Sequence, residues 1–253
     1  MQAIRDKLRD APMANAANAG LVLSCFLRES ADNPDAKRDL LKVAIKAAQT
    51  AKPIYELAFN RWKASLAQSG AVTKAMKTTG RTVIGLGTSN VIETGLRLHH
   101  TYGTPVLPGS ALKGLCAHYC NDVWGPAHSG FATGGEFHSI LFGTQDSAGF
   151  IVFEDAWMQP ASLSEANRGL VIDVMTPHHA AYYMKEKAPT EFESPIPVPF
   201  LSVAGTFLLA VTCADKSGEG QVWARKALDL ASEALKEWGI GGKTNAGYGR
   251  LEQ

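Results

Sequence analysis

The segment Gly239–Arg250, GIGGKTNAGYGR, brings together the residue types that bind phosphate. Closely spaced glycines let a backbone present its N–H groups to an anion. Lys243 adds a positive charge, and Thr244 and Asn245 add hydrogen-bonding side chains. A nucleotide-binding P-loop has another glycine five residues before the glycine that precedes its lysine, but Glu237 occupies that position here. The spacing therefore excludes a P-loop and predicts no ATP binding.

The same glycines are also typical of a tight connection, in which several residues adopt positive φ. The segment Gln221–Trp238 has apolar residues at helical spacing, and Gly239 is a typical residue just past a helix end. The residues after Asn245 are sufficient only for a short strand. The sequence thus predicts a helix, a glycine loop and a strand, and residue types alone leave phosphate binding and a purely structural loop as equal alternatives.

Two histidine pairs could supply acid–base chemistry, because histidine titrates near neutrality. Both pairs are predicted in loops or at strand ends, where catalytic residues often lie. A structural role or contact with RNA is the more common use of such a pair. The pairs, with the tyrosines that follow them, are His99, His100 and Tyr102, and His178, His179, Tyr182 and Tyr183.

Charge is balanced overall but unevenly distributed along the chain. The 253 residues carry a formal net charge of +1, which by itself does not indicate a nucleic-acid-binding protein. Residues 1–80 hold 13 Lys and Arg against 7 Asp and Glu, whereas residues 81–253 hold 12 against 17. The pattern predicts a basic front and a mildly acidic body, with solvated helix faces as the ordinary alternative.

The cysteines and the apolar segments favour a cytoplasmic protein. Cys25, Cys116, Cys120 and Cys213 show no C-x-x-C spacing, which fits reduced thiols, and free cysteines are usually buried rather than metal-bound. The apolar run Ala19–Leu27 is too short to span a bilayer. We therefore expect no membrane segment, no metal and no cofactor.

Hydrophobic periodicity predicts a helical front, residues 1–77, with helices over Asp35–Lys52 and Ile54–Gln68. A short strand is predicted at Arg81–Leu86, and Ser110 is the predicted N-cap of the next helix. Residues 129–149 are predicted to be a glycine-rich loop. The later predicted elements are the strands GFIVFEDAW, LVIDVMTPHHAAYY and LSVAGTFLLAVTC, the helix over residues 221–238 and a final strand at Tyr248–Leu251.

From residue 81 the order β, α, β, β, α, β is that of the split βαβ, ferredoxin-like topology. The sequence therefore predicts a helical N-terminal extension, residues 1–79, and an α+β ferredoxin-like domain with large loop insertions, residues 80–253. The RNA-recognition motif shares this topology but binds RNA through aromatic residues on its sheet. The predicted first and last strands lack such a pair, so RNA, if it binds, should bind at loops and helix ends.

Four motifs in the same order carry a resemblance to a known family. They are GLGTSNVIETGLRLHHTYGTPVLPGSALKG, DVMTPHHAAYY, PVPFLSV and GIGGKTNAGYGR. Together they resemble the RAMP proteins of CRISPR systems, and most closely the Cmr-type RAMP subunit, the sixth Cmr subunit, of type III-B effector complexes. The resemblance covers the chain from about Gly80 to its end and implies the ferredoxin-like RAMP fold.

The resemblance implies a non-catalytic subunit that binds guide RNA and caps the filament of backbone RAMP subunits at the guide 3′ end. It also implies contact with a small helical subunit and, through the complex, with target RNA. A helix N-terminus offers free N–H groups to phosphate, and in this family the helix after the first strand and the glycine loop face the guide. The corresponding residues here are Ser110, Lys113, Gly241, Gly242, Lys243, Thr244, Asn245 and Arg250, with His99, His100, His178 and His179 as further possible RNA contacts.

Two other functions remain open at this level. Some RAMP relatives process guide RNA without metal, using His or Tyr, so a metal-independent endoribonuclease is the main alternative. A protein-only adaptor is another. Backbone Cmr subunits cut target RNA through an acidic residue on a loop, and although Asp122, Asp146 and Asp173 are available here, none lies in a matching motif.

We predict that the purified protein leaves guide precursor and target RNA intact, because the motif around His178 and His179 matches the family rather than a catalytic pattern. The measurement is incubation with each RNA followed by gel analysis of the products. Cleavage at a defined position that disappears in His100→Ala would favour the endoribonuclease instead.

Overall fold

An antiparallel sheet forms the centre of the protein. The computed structural model describes residue 8 and residues 11–27, 33–88, 90–176 and 197–253. The strands of this main sheet are β1 (Val72–Thr78), β2 (Val106–Leu107), β3 (Ile151–Phe153), β4 (Ala156–Met158), β7 (Thr206–Cys213) and β8 (Leu251–Glu252). Their order is β2-β4-β7-β1-β8, and β3 also pairs with β7. All these pairings are antiparallel, and β7 is buried along nearly its whole length.

The first central strand begins at Val72, so the predicted strand at Arg81–Leu86 is wrong. β1 pairs with β7 from Val72 to Lys77 and with β8 at Lys77 and Thr78. It therefore belongs to the main sheet although it lies within the predicted helical extension. Its residue types, VTKAMKT, do not alternate between polar and apolar, but more and less exposed positions alternate along the strand, as expected of a strand with one exposed face.

Residues 81–86 instead link the main sheet to a second, two-stranded sheet. That sheet consists of β5 (Gly169–Met175) and β6 (Val198–Ala204). Thr82 and Val203 exchange two backbone hydrogen bonds of 2.8 Å, and this bridge is the only β-pairing of the 81–86 segment among the described residues. The segment thus lies between the two sheets.

The predicted single strand LSVAGTFLLAVTC is two strands in two different sheets. Gly205 separates β6 from β7. A Cβ at Gly205 would lie 2.8 Å from Cβ of Ser162 and 2.9 Å from Cε of Met158. No larger residue fits there without displacing these neighbours, which explains a glycine inside an otherwise continuous apolar run.

Two helices that follow strands of the main sheet lie against each other. They are α4 (Gly109–Tyr119) and α6 (Gly218–Glu237). Ser217 caps α6 by accepting a hydrogen bond from the Gly220 N–H, and Leu228, Ala231 and Leu235 are buried on the helix face that packs on β7 and β1. The helix predicted over residues 221–238 is confirmed. The predicted loop at 129–149 contains an additional short helix, α5 (Glu136–Phe142).

The helical front contains α1 (Ala19–Cys25), α2 (Pro34–Thr50) and α3 (Lys52–Gln68), so both helices predicted there are confirmed. The Asn33 side chain caps α2 by accepting from the N–H groups of Asp35 and Ala36. α2 packs on β5 and β6, whereas α3 reaches the main sheet. Among the described helices, none has the length and apolarity needed to cross a membrane.

An aromatic cluster joins α3 to strand β4. The rings of Trp62 and Trp157 stack with centroids 4.9 Å apart and an interplanar angle of 6°. Tyr55 is fully buried beside them, and its hydroxyl donates a 2.6 Å hydrogen bond to the Met158 carbonyl. Since Met158 belongs to β4, this bond fastens the helical front to the main sheet.

We predict that Tyr55→Phe lowers the free energy of unfolding by about 1–2 kcal/mol, because the Met158 carbonyl loses its donor in a buried setting. The measurement is denaturant unfolding of the whole chain. Tyr102→Phe is the matched control, since the Tyr102 ring packs 5.8 Å from that of Tyr55 and its hydroxyl has no partner among the described residues. An equal effect of both substitutions would show that the hydrogen bond from Tyr55 to Met158 does not stabilise the protein.

Candidate nucleic-acid interface

The glycine loop, Gly239–Arg250, connects the end of α6 to β8, as predicted. Gly241 must be glycine: its φ is +91°, and a Cβ there would lie 2.3 Å from the Val83 carbonyl oxygen. Gly242 is different, because a Cβ there would meet no atom closer than 3.7 Å. Only Gly241 therefore excludes a side chain, although the two adjacent glycines are equivalent in the sequence pattern.

Backbone hydrogen bonds fasten the base of the loop to the segment 81–86. The Gly242 N–H donates to the Val83 carbonyl at 2.8 Å, and the Gly249 N–H donates to the Arg81 carbonyl at 2.7 Å. The Ile240 N–H closes the loop on itself by donating to the Gly249 carbonyl at 2.9 Å. The misassigned segment 81–86 thus holds the loop in place.

The tip of the loop presents unpaired donors to solvent. Lys243 is left-handed, with φ 61° and ψ 29°, and a right-handed turn over Thr244–Ala246 follows it. Among the described residues, the N–H groups of Lys243, Thr244 and Asn245 have no acceptor. A left-handed residue followed by a right-handed turn aims successive N–H groups into one concavity, which favours an anion. The exposed side chains of Lys243 and Arg250 add positive charge beside it.

A polar network beneath the loop joins it to the second sheet. The Tyr248 hydroxyl donates a 2.7 Å hydrogen bond to Oδ2 of Asp173 in β5, and Ser202 donates to the same oxygen at 3.3 Å. Arg81 Nε lies 3.8 Å from this oxygen. Burial alone would raise the pKa of Asp173, but the bonds from Tyr248 and the Val174 N–H, with the Arg81 charge, hold that pKa below its usual value.

Tyr248 is accordingly an anchor of the loop. Burial and the bond to Asp173 raise the pKa of Tyr248 to about 12. Sequence reasoning missed this network because Asp173 and Tyr248 are 75 positions apart and neither lies in a pattern that suggests the other. Asp173 had been considered only as an acidic residue that could cut RNA, and the structure places it in an internal network.

The predicted N-cap at Ser110 is wrong: α4 begins at Gly109, with Pro108 in the N-cap position. The Gly109 N–H donates at 2.7 Å to Oδ1 of Asp155, and the N–H groups of Ala111 and Leu112 donate to the Pro108 carbonyl. Only the Ser110 N–H of this first turn has no acceptor among the described residues. A carboxylate therefore already occupies the position expected for a phosphate.

The structure does not place the first turn of α4 beside the glycine loop. That turn follows β2 directly and lies at the end of β3, where a Cβ at Gly109 would meet the Phe153 carbonyl. The loop precedes β8 at the other edge of the main sheet, four strand spacings or roughly 19 Å away. Lys113 is exposed on α4, and no hydrogen bond joins it to the loop in the described part of the chain.

Of the two histidine pairs, only His99 and His100 lie within the described residues. His99 lies in the aromatic cluster, with its ring edge-on to Trp157 at 4.5 Å, and its Nδ1 accepts from the Thr101 N–H. Burial lowers the pKa of His99, opposed by Asp155 and reinforced by His100. His100 is exposed. His178 and His179 lie outside the described residues.

Cys116, Cys120 and Cys213 are buried free thiols and Cys25 is partly buried, as the sequence predicts. Burial raises the pKa of Cys116 above its usual range and that of Cys120 to about 11. No group of three or more His, Cys, Asp or Glu side chains with metal-binding geometry occurs within the described ranges.

Comparisons with known proteins agree on one family. The model of the RAMP superfamily matches residues 75–252. The CRISPR system Cmr subunit Cmr6 of Pyrococcus furiosus is 30% identical over an alignment of 266 residues, which covers 83% of this chain and 76% of that protein.

Two solved structures are similar to this chain to different degrees. A chain in the cryo-EM structure of the Type III-B Cmr-beta bound to cognate target RNA shares the fold, with a TM-score of 0.64 and 21% identity over 85% of this chain and 70% of that one. The crystal structure of Cmr6 from Pyrococcus furiosus has a TM-score of 0.46 and 30% identity, over 72% of this chain and 97% of that one.

We predict that Asp173→Asn lowers the free energy of unfolding at neutral pH by about 1–2 kcal/mol, because it removes a charged hydrogen-bond acceptor. Since the pKa of Asp173 is depressed in the folded state, the difference from wild type is full above the unfolded pKa of about 3.9 and vanishes as pH falls through the lower folded value. Denaturant unfolding across a pH series measures this. The exposed Asp146→Asn is the control, and a pH-independent difference would contradict the prediction.

Proposed function

The chain belongs to the RAMP superfamily and is a Cmr-type subunit, and from that premise we propose that it binds guide RNA, without cutting it, in a type III-B CRISPR (Cmr) effector complex. In this proposal it caps the filament of backbone RAMP subunits at the guide 3′ end. Its partners are the guide RNA, the backbone RAMP subunits, a small helical subunit and, through the complex, the target RNA.

The observation that carries the proposal is the exposed tip of the glycine loop. The N–H groups of Lys243, Thr244 and Asn245 have no acceptor among the described residues, and the side chains of Lys243 and Arg250 on the same loop are exposed. The base of the loop is fastened by hydrogen bonds to Arg81 and Val83, so the donors are preorganised. A rigid set of donors with two nearby cations suits a phosphate of a nucleic-acid backbone.

We also propose that the main sheet is the ferredoxin-like core of the RAMP fold. Its central order, β8-β1-β7 followed by β3 and β4, is that of the split βαβ topology once β1 is taken as the first strand. In that topology a helix follows the first strand and another follows the third. Here α4 comes after β1, with the short β2 between them, and α6 comes directly after β7. The helical extension of the proposal then ends before β1 rather than at residue 79.

The known relatives support the choice of partners. One similar protein is named as a Cmr subunit, and a chain of the same fold comes from a Cmr complex bound to cognate target RNA. The packing of His99 supports a non-catalytic role, because its ring is held against Trp157 and its Nδ1 already accepts a hydrogen bond. Lys113 and Ser110 remain proposed contacts with a different part of the RNA strand.

We predict that Lys243→Ala and Arg250→Ala each reduce the slope of log affinity against log salt by about 0.7, the value for one phosphate contact with a single strand. Base preference should hardly change, because phosphate contacts position the strand rather than specify its sequence. The measurement is guide retention by the reconstituted complex across a salt series. Lys63→Ala, exposed on α3, is the charge control.

Glycine variants extend the same measurement. Gly241→Ala should weaken guide retention more than either cation change, because its Cβ would collide with the Val83 carbonyl, whereas Gly242→Ala should be close to wild type. Wild-type affinity and slope in both cation variants would show that the loop is structural and that the RNA surface lies elsewhere.

A further inference from the structure

Trp238, the residue that ends α6, differs from the other tryptophans of the chain. Trp62 and Trp157 stack on each other, Trp124 donates its indole N–H to Glu233, and Trp223 packs on Phe137. Trp238 is 36% exposed, which makes it the most exposed of the five tryptophans. It is an unusually large apolar ring to leave in water at the end of a helix.

The Trp238 ring is held in place from one side. Tyr119 packs against it in a T-shaped arrangement, with centroids 5.2 Å apart and planes at 71°. Tyr119 is itself 1% exposed, and its hydroxyl donates a 2.8 Å hydrogen bond to Oε2 of Glu237. The Tyr119 contact holds the Trp238 ring from one side as a platform, and one oxygen of the Glu237 carboxylate is occupied by the Tyr119 hydroxyl.

The platform borders the phosphate-binding part of the glycine loop. Trp238 lines one concave surface with Glu237, Thr244, Asn245, Gly247 and Arg250. The unpaired N–H groups of Thr244 and Asn245 lie on the same loop tip. An aromatic face, an arginine and backbone donors thus surround a single open depression.

We propose that Trp238 stacks on a nucleobase of the RNA strand whose phosphates contact the tip of the glycine loop. This inference rests on the proposed function and extends it from backbone contact to base contact. Base–aromatic stacking tolerates any sequence, because every base has a π-face. The site thereby retains a nucleotide of any identity, which suits a subunit that must accept many different guides.

The charge around the platform favours a nucleotide over an apolar protein segment. Arg250 lines the depression together with one carboxylate, Glu237, which accepts the Tyr119 hydrogen bond, and Lys243 is exposed on the same loop. The loop donors have no internal acceptors among the described residues. An apolar partner side chain would cover Trp238 but leave these donors without acceptors, which is costly in a buried interface. A nucleotide supplies both a ring for the tryptophan and a phosphate for the donors.

The test compares Trp238→Ala, Trp238→Leu and Trp238→Phe in the reconstituted complex and in the full chain with a short single-stranded RNA oligonucleotide. Trp238→Ala and Trp238→Leu should weaken RNA binding roughly 5- to 150-fold, the range for loss of one stacked base, with an unchanged salt slope. Trp238→Phe should recover most of the affinity. Leu preserves apolar contact with Tyr119, so a loss in Trp238→Leu as large as that in Trp238→Ala points to the missing ring, and an unchanged unfolding midpoint in both variants excludes a folding defect as the cause.

The outcomes separate this inference from the function on which it rests. Wild-type affinity in the tryptophan variants, with reduced salt slopes in Lys243→Ala and Arg250→Ala, overturns the stacking role alone. Normal RNA affinity with loss of assembly shows that Trp238 contacts a protein subunit instead and likewise overturns it. If neither set of variants changes RNA binding, both the inference and the proposed function are wrong.

Discussion

The backbone hydrogen bonds from Gly242 and Gly249 to residues 83 and 81 hold the glycine loop against the segment that bridges the two sheets. These bonds pair the donors at the base of the loop, whereas the donors at its tip, residues 243–245, have no acceptor among the described residues. The network of Asp173, Tyr248 and Arg81 strengthens the same junction from below. The candidate interface thus depends on three separate parts of the chain: the glycine loop, the segment 81–86 and strand β5. The hydrogen bonds among these parts, rather than bonds within the loop, hold the loop in place.

Sequence patterns predicted the long helices well, because each carries its own local signals. α2 has Asn33 as a capping residue and Pro34 at its start, and α6 has a continuous apolar face. The first strand was missed because β1 is short and contains two lysines, so it resembles the end of the preceding helix. Residues 81–86 contain an apolar run that is typical of a strand, but the contacts that decide their role come from Val203 and the glycine loop.

The candidate site was predictable only in part, because several of its contacts join residues that are distant in the sequence. The density of glycines marks the loop in the sequence, and a helix before it follows from periodicity. The difference between Gly241 and Gly242 depends on the distance to the Val83 carbonyl, which no local pattern encodes. Asp155 at the start of α4 and Asp173 beneath the loop act on residues far away in sequence. Trp238 fits a helical apolar pattern, and its exposure depends on Tyr119 and the loop.

Photo-crosslinking of guide RNA in the reconstituted complex tests the central claim most directly, because it locates the contact without altering the protein. The guide would carry 4-thiouridine substitutions near its 3′ end, and crosslinked peptides would be identified by mass spectrometry. The account predicts crosslinks within the segment 238–250, at Trp238 and the loop tip. Crosslinks confined to His99 and His100 or to other surfaces of this chain, with none in that segment, would contradict it.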